Sequence, residues 1–220
     1  GLNIKDAGEK VRKLVEDHII STGVDPKIPP VDLMAANFKE SVEKVKSPES
    51  RASEIERAIK HHITVNLDED PEYYKSLSLR LRDIIEKTKG KWDQQLELLL
   101  DLVSNIETEH KQAADDLGLT ETEYAFYNIL MAEVSAHSND GVVGDEEHEE
   151  IKATSQSLVE MFDEATQIVD FFQKNDEVKR MKKEIKRAIL DCSYGESAIV
   201  KVVQSRFMDL AQSRFGKSGK

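Results

Sequence analysis

Residues 51–85, RASEIERAIKHHITVNLDEDPEYYKSLSLRLRDII, read as two helices joined by a short turn. In the first arm Ala52, Ile55, Ile59, Ile63 and Leu67 recur at three- and four-residue steps, which puts them on one helix face. Ser47 and Pro48 stand just before it. A serine hydroxyl satisfies an orphan N–H of the first turn, and proline there has no N–H to lose. The second arm starts in the same way. Asp70 can cap, Pro71 takes the first turn, and Tyr74, Leu77, Leu81, Ile84 and Ile85 form the apolar stripe. The connection LDEDP (67–71) is short, so the two arms are expected to pack antiparallel as neighbours.

The same periodicity runs outward from the hairpin. Towards the N-terminus, residues 6–21 form a helix with Ala7, Val11, Leu14, Val15 and Ile19 as its stripe. Gly23 stops it, and Pro26, Pro29 and Pro30 hold the connector STGVDPKIPPVD extended. Beyond the hairpin, Gly90 ends the second arm. Residues 91–113 make a long helix with Trp92, Leu96, Leu99, Val103 and Ile106 in phase. Leu98, Leu100 and Leu102 widen that stripe, so this helix is expected at the centre of the bundle or under a partner. Thr120 with Glu123 spells a capping box, opening a helix to about Ser135 that buries Tyr124, Tyr127, Leu130 or Met131, and Val134.

HSNDGVVGD (137–145) breaks the helical pattern and is the candidate hinge between two lobes. A helix over 146–173 follows, with Ile151, Leu158, Phe162, Ala165, Val169 and Phe172 on one face and an acidic first turn that suits the helix dipole. Asn175 or Asp176 then caps a helix to about Cys192, Tyr194-Gly195 turns the chain, and Ser197–Phe215 buries Ile199, Val203, Phe207 and Leu210. The tail GKSGK is expected to be disordered. The fold class is therefore all-α, a bundle of about eight helices in two lobes.

Composition bounds the function. The 220 residues suffice for one or two domains with a real core, and no apolar run is long enough to span a membrane. No signal peptide opens the chain, and Gly1 in place of Met points to an excised or processed fragment. A single cysteine, Cys192, excludes an internal disulfide. It lies in phase with Met181, Ile185 and Ala188, as a buried structural cysteine would. The net charge of −12 is unevenly spread. Residues 174–220 hold 12 Lys/Arg against 6 Asp/Glu, which leaves −18 on the other 173 residues. The bulk should repel nucleic acid, whereas the last two helices could attract it.

Catalytic signatures fail one by one. GKS at 216–218 echoes a phosphate-binding loop, but Ala211 stands where that loop needs glycine, and no strand precedes it. ITVNLDED ends in acids as a motor ATPase strand does, yet its isoleucines continue the preceding helix. Glu177-Val178-Lys179 matches half of a nuclease motif, but it sits on a helix rather than a strand. His61 and His62 point about 100° apart on a helix and cannot chelate one metal together. His148, among Asp145, Glu146, Glu147, Glu149 and Glu150, lacks the alternating pattern of a calcium loop. One feature keeps a functional reading. Lys179, Arg180, Lys182, Lys183, Lys186 and Arg187 cover one arc of a helix opposite Val178, Met181, Ile185 and Ile189. Asp176 can pair with Arg180 and Glu184 lies within the patch, so most of the positive charge is expected to stay unpaired. The arc could contact DNA phosphates or an acidic partner, or simply be solvated.

The hairpin resembles the helical region that follows the motor domains in the large subunit of type I restriction-modification enzymes. The match lies in the Ala-Ser-Glu start at 52–54, Ala-Ile-Lys-His-His at 58–62, Asp-Glu-Asp-Pro at 68–71 and the tyrosine after it. Residues 11–34, 119–130 and 178–190 are similar to the same family in the same order, whereas 136–150 are least so. The resemblance implies a short helix within 32–45 and a subunit that is an ATP-driven DNA translocase and endonuclease. The motor and nuclease domains of that family would lie N-terminal to this region. Residues 1–136 would then brace the motor domains, 137–145 would be a loop, and 146–220 would dock the subunit onto the methyltransferase and specificity subunits, with duplex DNA near the basic helix. Such a fragment would be a cytoplasmic, non-catalytic module with no cofactor and no membrane contact. The reading from another class is a stand-alone helical scaffold for protein partners.

Overall fold

The computed structural model describes residues 6–19 and 32–216. Among the described residues every regular element is helical, as expected, and no strand is present. The α-helices are α1 (Asp6–Ile19), α2 (Phe38–Glu43), α3 (Pro48–Asn66), α4 (Pro71–Lys87), α5 (Trp92–Asp116), α6 (Glu121–His137), α7 (Asp145–Ala165), α8 (Asn175–Leu190) and α9 (Ser197–Phe215). Short 3-10 turns at Leu67–Glu69 and Phe171–Gln173 link α3 to α4 and α7 to α8. The proline connector before residue 32 and the tail after residue 216 lie outside the described residues. None of the described helices is long and apolar enough to cross a membrane.

The chain forms two compact units. Among the described residues one comprises 6–11, 68–72 and 113–216, and the other 12–19, 32–67 and 73–112. The loop at 137–145 joins α6 to α7, both of which lie in the first unit.

In the first unit α6 is the hub. It packs closely on α7 and α9, while α8 packs on both α7 and α9. Ala125, Phe126, Tyr127, Ile129, Leu130 and Val134 of α6 are all buried. Phe126 lies 5.6 Å from Phe162 and 4.9 Å from Phe207, centroid to centroid, so one ring from each of three helices meets at the middle of the core. A helix apolar nearly all round belongs in the interior. The Thr120 capping box is formed as read: Thr120 Oγ1 accepts from Glu123 N at 3.2 Å, and Glu123 Oε2 accepts from Thr120 N at 2.8 Å. Helix α7 stops earlier than its period suggests. After Ala165 the Thr166 hydroxyl donates to the Phe162 carbonyl at 2.7 Å, and Asp170 turns left-handed at φ 55°. That turn brings Phe171 into the core and leaves Val169 exposed, against the expected face. Helix α8 begins after Lys174 with no side-chain cap, so neither Asn175 nor Asp176 takes that role.

In the second unit the first arm is as read: Ala52, Ile55, Ile59, Ile63 and Leu67 are all buried, and the Ser47 hydroxyl accepts from Ser50 N at 3.1 Å. On α4, Leu77 and Leu81 are buried, with Tyr74, Ile84 and Ile85 half-buried. Close backbone approach in this unit is seen between α2 and α3, and α3 meets α4 through side chains. Contacts at the turn end are made by side chains, with His62 edge-on to Tyr74 at 5.7 Å and the Tyr73 hydroxyl donating to the Ile106 carbonyl of α5 at 2.8 Å. The buried line of α5 is Gln95, Leu99, Leu102 and Ile106. It keeps Leu99 and Ile106 of the expected stripe but takes Gln95 and Leu102 in place of Leu96 and Val103, and it leaves Trp92 and Leu98 exposed. On α1, Val15 is buried while Leu14 is exposed.

Candidate functional site

The basic arc is where the sequence places it. Met181, Ile185 and Ile189 fix α8 onto the core by its apolar face. The opposite face carries Lys179, Arg180, Lys182, Lys183, Lys186 and Arg187, all exposed. Two of the six are ion-paired. Arg180 meets Glu177 at 2.7 Å, in place of the expected Asp176, and Arg187 meets Glu184 at 3.4 Å. Both pairs are spaced i, i+3 on the helix surface, where such contacts are weak. Lys179, Lys182, Lys183 and Lys186 make no ion pair among the described residues. Their backbone is held in place: Gln204 Nε2 of α9 donates to the Lys182 carbonyl at 2.5 Å. That bond brings the Gln204 side of α9 against α8, and exposed Lys201 lies one turn before Gln204. The result is a helix held on the core that presents four ammonium groups, without ion pairs among the described residues, within two turns.

The other sequence candidates have structural employment. His148 pairs through Nδ1 with the Tyr127 hydroxyl at 2.7 Å. Burial, then the neighbouring Tyr124 and Glu149, push the Tyr127 phenol up, so it stays protonated. Glu147 Oε2 accepts from Gly144 N at 2.8 Å. Glu150 accepts from Ser193 N at 3.1 Å and from the Ser193 hydroxyl, tying the acidic start of α7 to the turn between α8 and α9. His62 shares its end of α3 with Asn66, whose amide donates to the His62 carbonyl at 2.8 Å, while His61 is exposed. Glu177-Val178-Lys179 lies on α8 with Glu177 engaged by Arg180. Half-buried Cys192 donates from Sγ to the Ala188 carbonyl at 3.2 Å and touches Thr154, which accepts from Tyr194. No group of three or more potential metal ligands is assembled among the described residues. In the second unit an open cleft of about 540 Å³ separates the N-terminal ends of α3 and α5, with Lys91 and Trp92 facing Pro48 and Glu49.

One polar centre was not foreseen. Arg206 of α9 is 4% exposed and bridges two carboxylates, Glu72 at 2.7 Å and Glu133 at 3.0 Å. Beside it Arg214 Nε donates to the Glu69 carbonyl at 2.8 Å, and Asn128 Nδ2 donates to the Asp70 carboxylate at 3.1 Å. The sequence did carry a signal. Arg206 falls in phase with Ile199, Val203 and Leu210, and a guanidinium on a core-facing line needs buried counter-ions.

Comparison with known proteins identifies a family. Residues 3–209 match the family described as "Type I restriction enzyme HindI endonuclease subunit-like, C-terminal". A protein of Methanocaldococcus jannaschii named "Putative type I restriction enzyme MjaIXP endonuclease subunit" is 29% identical over 107 residues, a stretch covering 47% of this chain and 10% of that protein. No solved structure matches at a significant level. The chain thus spans a small part of the relative's length. With nearly all of its residues matched in one alignment, it belongs to the family of C-terminal regions of HindI-like type I restriction enzyme endonuclease subunits.

Proposed function

We propose that this chain is the non-catalytic helical module through which a type I restriction endonuclease subunit is assembled. In this reading it takes no cofactor of its own. The unit comprising 12–19, 32–67 and 73–112 braces the motor domains of the full-length cytoplasmic protein. The α8 face docks the subunit beside the methyltransferase and specificity subunits, in contact with the phosphates of duplex DNA.

The observation that carries the reading is the α8 face. Four exposed lysines without ion-pair partners among the described residues stand on a helix that is apolar on its other side. The rest of the chain is net acidic, so repulsion of phosphates favours this surface over the remainder for contact with nucleic acid. Point charges on flexible stems suit phosphates, and the face has no aromatic group for stacking on single strands. Exposed Trp92 and Leu98 in the other unit support a bracing role, since each is an apolar group a neighbouring domain could cover.

Binding of a fluorescent duplex across a salt series tests the proposal. Neutralising four phosphates gives a slope of log K on log salt of about −3.6. Changing Lys179, Arg180, Lys183 and Arg187 to Glu should abolish binding while leaving the helical circular dichroism unchanged. If the wild type does not bind, or if the variant binds with the same slope, the DNA contact is wrong. Association with the methyltransferase core, measured with the same pair of proteins, then tests docking separately.

A further inference from the structure

The turn of the hairpin is acidic and sits in a socket. Asp68–Glu72, sequence DEDPE, carries four carboxylates in five residues. It belongs to the same compact unit as α6 and α9, whereas the arms it joins run through the other unit, so the chain passes between units on either side of it. Three of its acids are individually held. Glu69 receives Arg214 at its carbonyl (2.8 Å) and its carboxylate (3.5 Å), with the Ser213 hydroxyl at 3.3 Å. Asp70, 1% exposed, accepts from Asn128 at 3.1 and 3.4 Å. Glu72 pairs with Arg206, which also bridges to Glu133.

We infer that this tip is a releasable latch, seated in the α6–α9 socket by exchangeable polar contacts and built to leave it without unfolding the helices around it. A segment meant to stay buried is held more simply by apolar side chains, because a buried ion pair must first be stripped of water. A segment meant to return to water must be soluble there, and four carboxylates with no apolar residue except Pro71 meet that need. The socket holds the tip by hydrophilic groups, the Arg206 and Arg214 guanidinium groups, the Asn128 amide and the Ser213 hydroxyl, all of which rehydrate when it leaves. Arg206 gives the seat its specificity. A planar fork can bridge Glu72 and Glu133 at once, which an ammonium cannot do with the same geometry. The tip therefore has one register and a reversible bond. Its released state is expected at about 1% of the population.

Amide relaxation dispersion and hydrogen exchange on the full chain test this. In the wild type, Asp68, Glu69 and Asp70 should share one millisecond exchange process with the Asn128 side-chain amide, while Ile129 and Leu130 show none. Arg206→Lys should raise the released population about tenfold and leave α6 and α9 resonances in place. Replacing the triad together, Glu72→Leu with Glu133→Leu and Arg206→Met, should flatten the dispersion, because an apolar seat has no reason to open. Three results overturn the latch. The first is a flat wild-type profile with the tip as protected as Ile129. The second is faster exchange at Ile129 and Leu130 in Arg206→Lys, in proportion to the tip. The third is a triple variant whose tip exchanges as fast as in the wild type. If the triple variant does not fold, Arg206→Lys decides alone.

Discussion

The two compact units solve the same packing problem with different chemistry. The unit built on α6 gathers Phe126, Phe162, Phe171, Phe207 and Tyr127 into one aromatic core. The unit built on α3, α4 and α5 buries mainly aliphatic Ile and Leu with the neutral polar groups Ser78, Thr88 and Gln95 at 1–2% exposure among them, whereas the buried polar groups of the first unit include the charged Arg206 and Asp70. Gln95 Nε2 donates to Thr88 Oγ1 at 3.1 Å, and Thr88 in turn donates to the Ile84 carbonyl at 2.6 Å. Aromatic rings supply large contact areas with few rotatable bonds. Small polar relays supply orientation and are costly only when broken. The first unit should therefore lose most from lost volume, and the second from an unpaired polar atom.

The largest effect expected is at Phe126. Phe126→Ala removes the ring that three helices share and should cost about 3–5 kcal/mol in urea unfolding. Hydrogen exchange followed residue by residue sharpens the comparison. Amides of α6, α7 and α9 should lose protection while Ile55, Ile59 and Leu81 keep theirs. Equal losses in both units would mean that the chain unfolds as a single cooperative block.

Next comes the relay. Thr88→Val leaves the Gln95 amide buried without its acceptor and should cost about 1–3 kcal/mol. Adding Gln95→Leu should recover most of that loss, since two apolar groups then meet in place of one stranded donor. If the double variant is as unstable as the sum of the single changes, the relay is not an isolated pair and the contrast between the units weakens. Helix caps should be indifferent to the unit they occupy. Thr120→Ala in one and Ser47→Ala in the other should each cost about 1 kcal/mol by thermal melting.

How much was legible follows from what each residue needs. The α3 stripe and the α9 span could be read directly, because each has one apolar face and a clear start. The Thr120 box was legible because it is local chemistry. The exposure of the six basic residues on α8 followed from their phase against Met181, Ile185 and Ile189. Phe126 was not legible: α6 is apolar on nearly every side, so no phase singles out a buried line. The end of α7 was hidden because Thr166 and Asp170 break a period that the sequence continues to Phe172. Arg206 and Gln95 stand at core-facing positions where their types argue against burial. Only their partners, from segments far away in sequence, make those positions tolerable.

The smallest effects expected are in the response to pH, and there the two units should differ in sign. Tyr194 of the first unit is 6% exposed and donates to Thr154 at 3.3 Å. Burial, then the hydrogen bond with Cys192, push its phenol far above its ordinary value of 10.0. The folded chain keeps that proton while the unfolded chain releases it, so stability is fully present below pH 10 and falls as pH rises above it, by up to about 1.4 kcal/mol per pH unit. His18 of the second unit, beside the Ser78 hydroxyl at 3.3 Å, is pushed below its ordinary value of 6.5 by desolvation first and by Arg82 second. Its unfolded form takes up a proton before its folded form does, so its contribution is present above pH 6.5 and is lost as pH falls. Urea midpoints from pH 5 to 11 for wild type, Tyr194→Phe and His18→Gln separate the two. Tyr194→Phe should run parallel to wild type below pH 10 and converge on it above, whereas His18→Gln should flatten a small part of the acid limb. A Tyr194→Phe curve that stays parallel up to pH 11 would show that the phenol ionises as readily in the folded chain as in the unfolded one, and that the core of the first unit is open to water there.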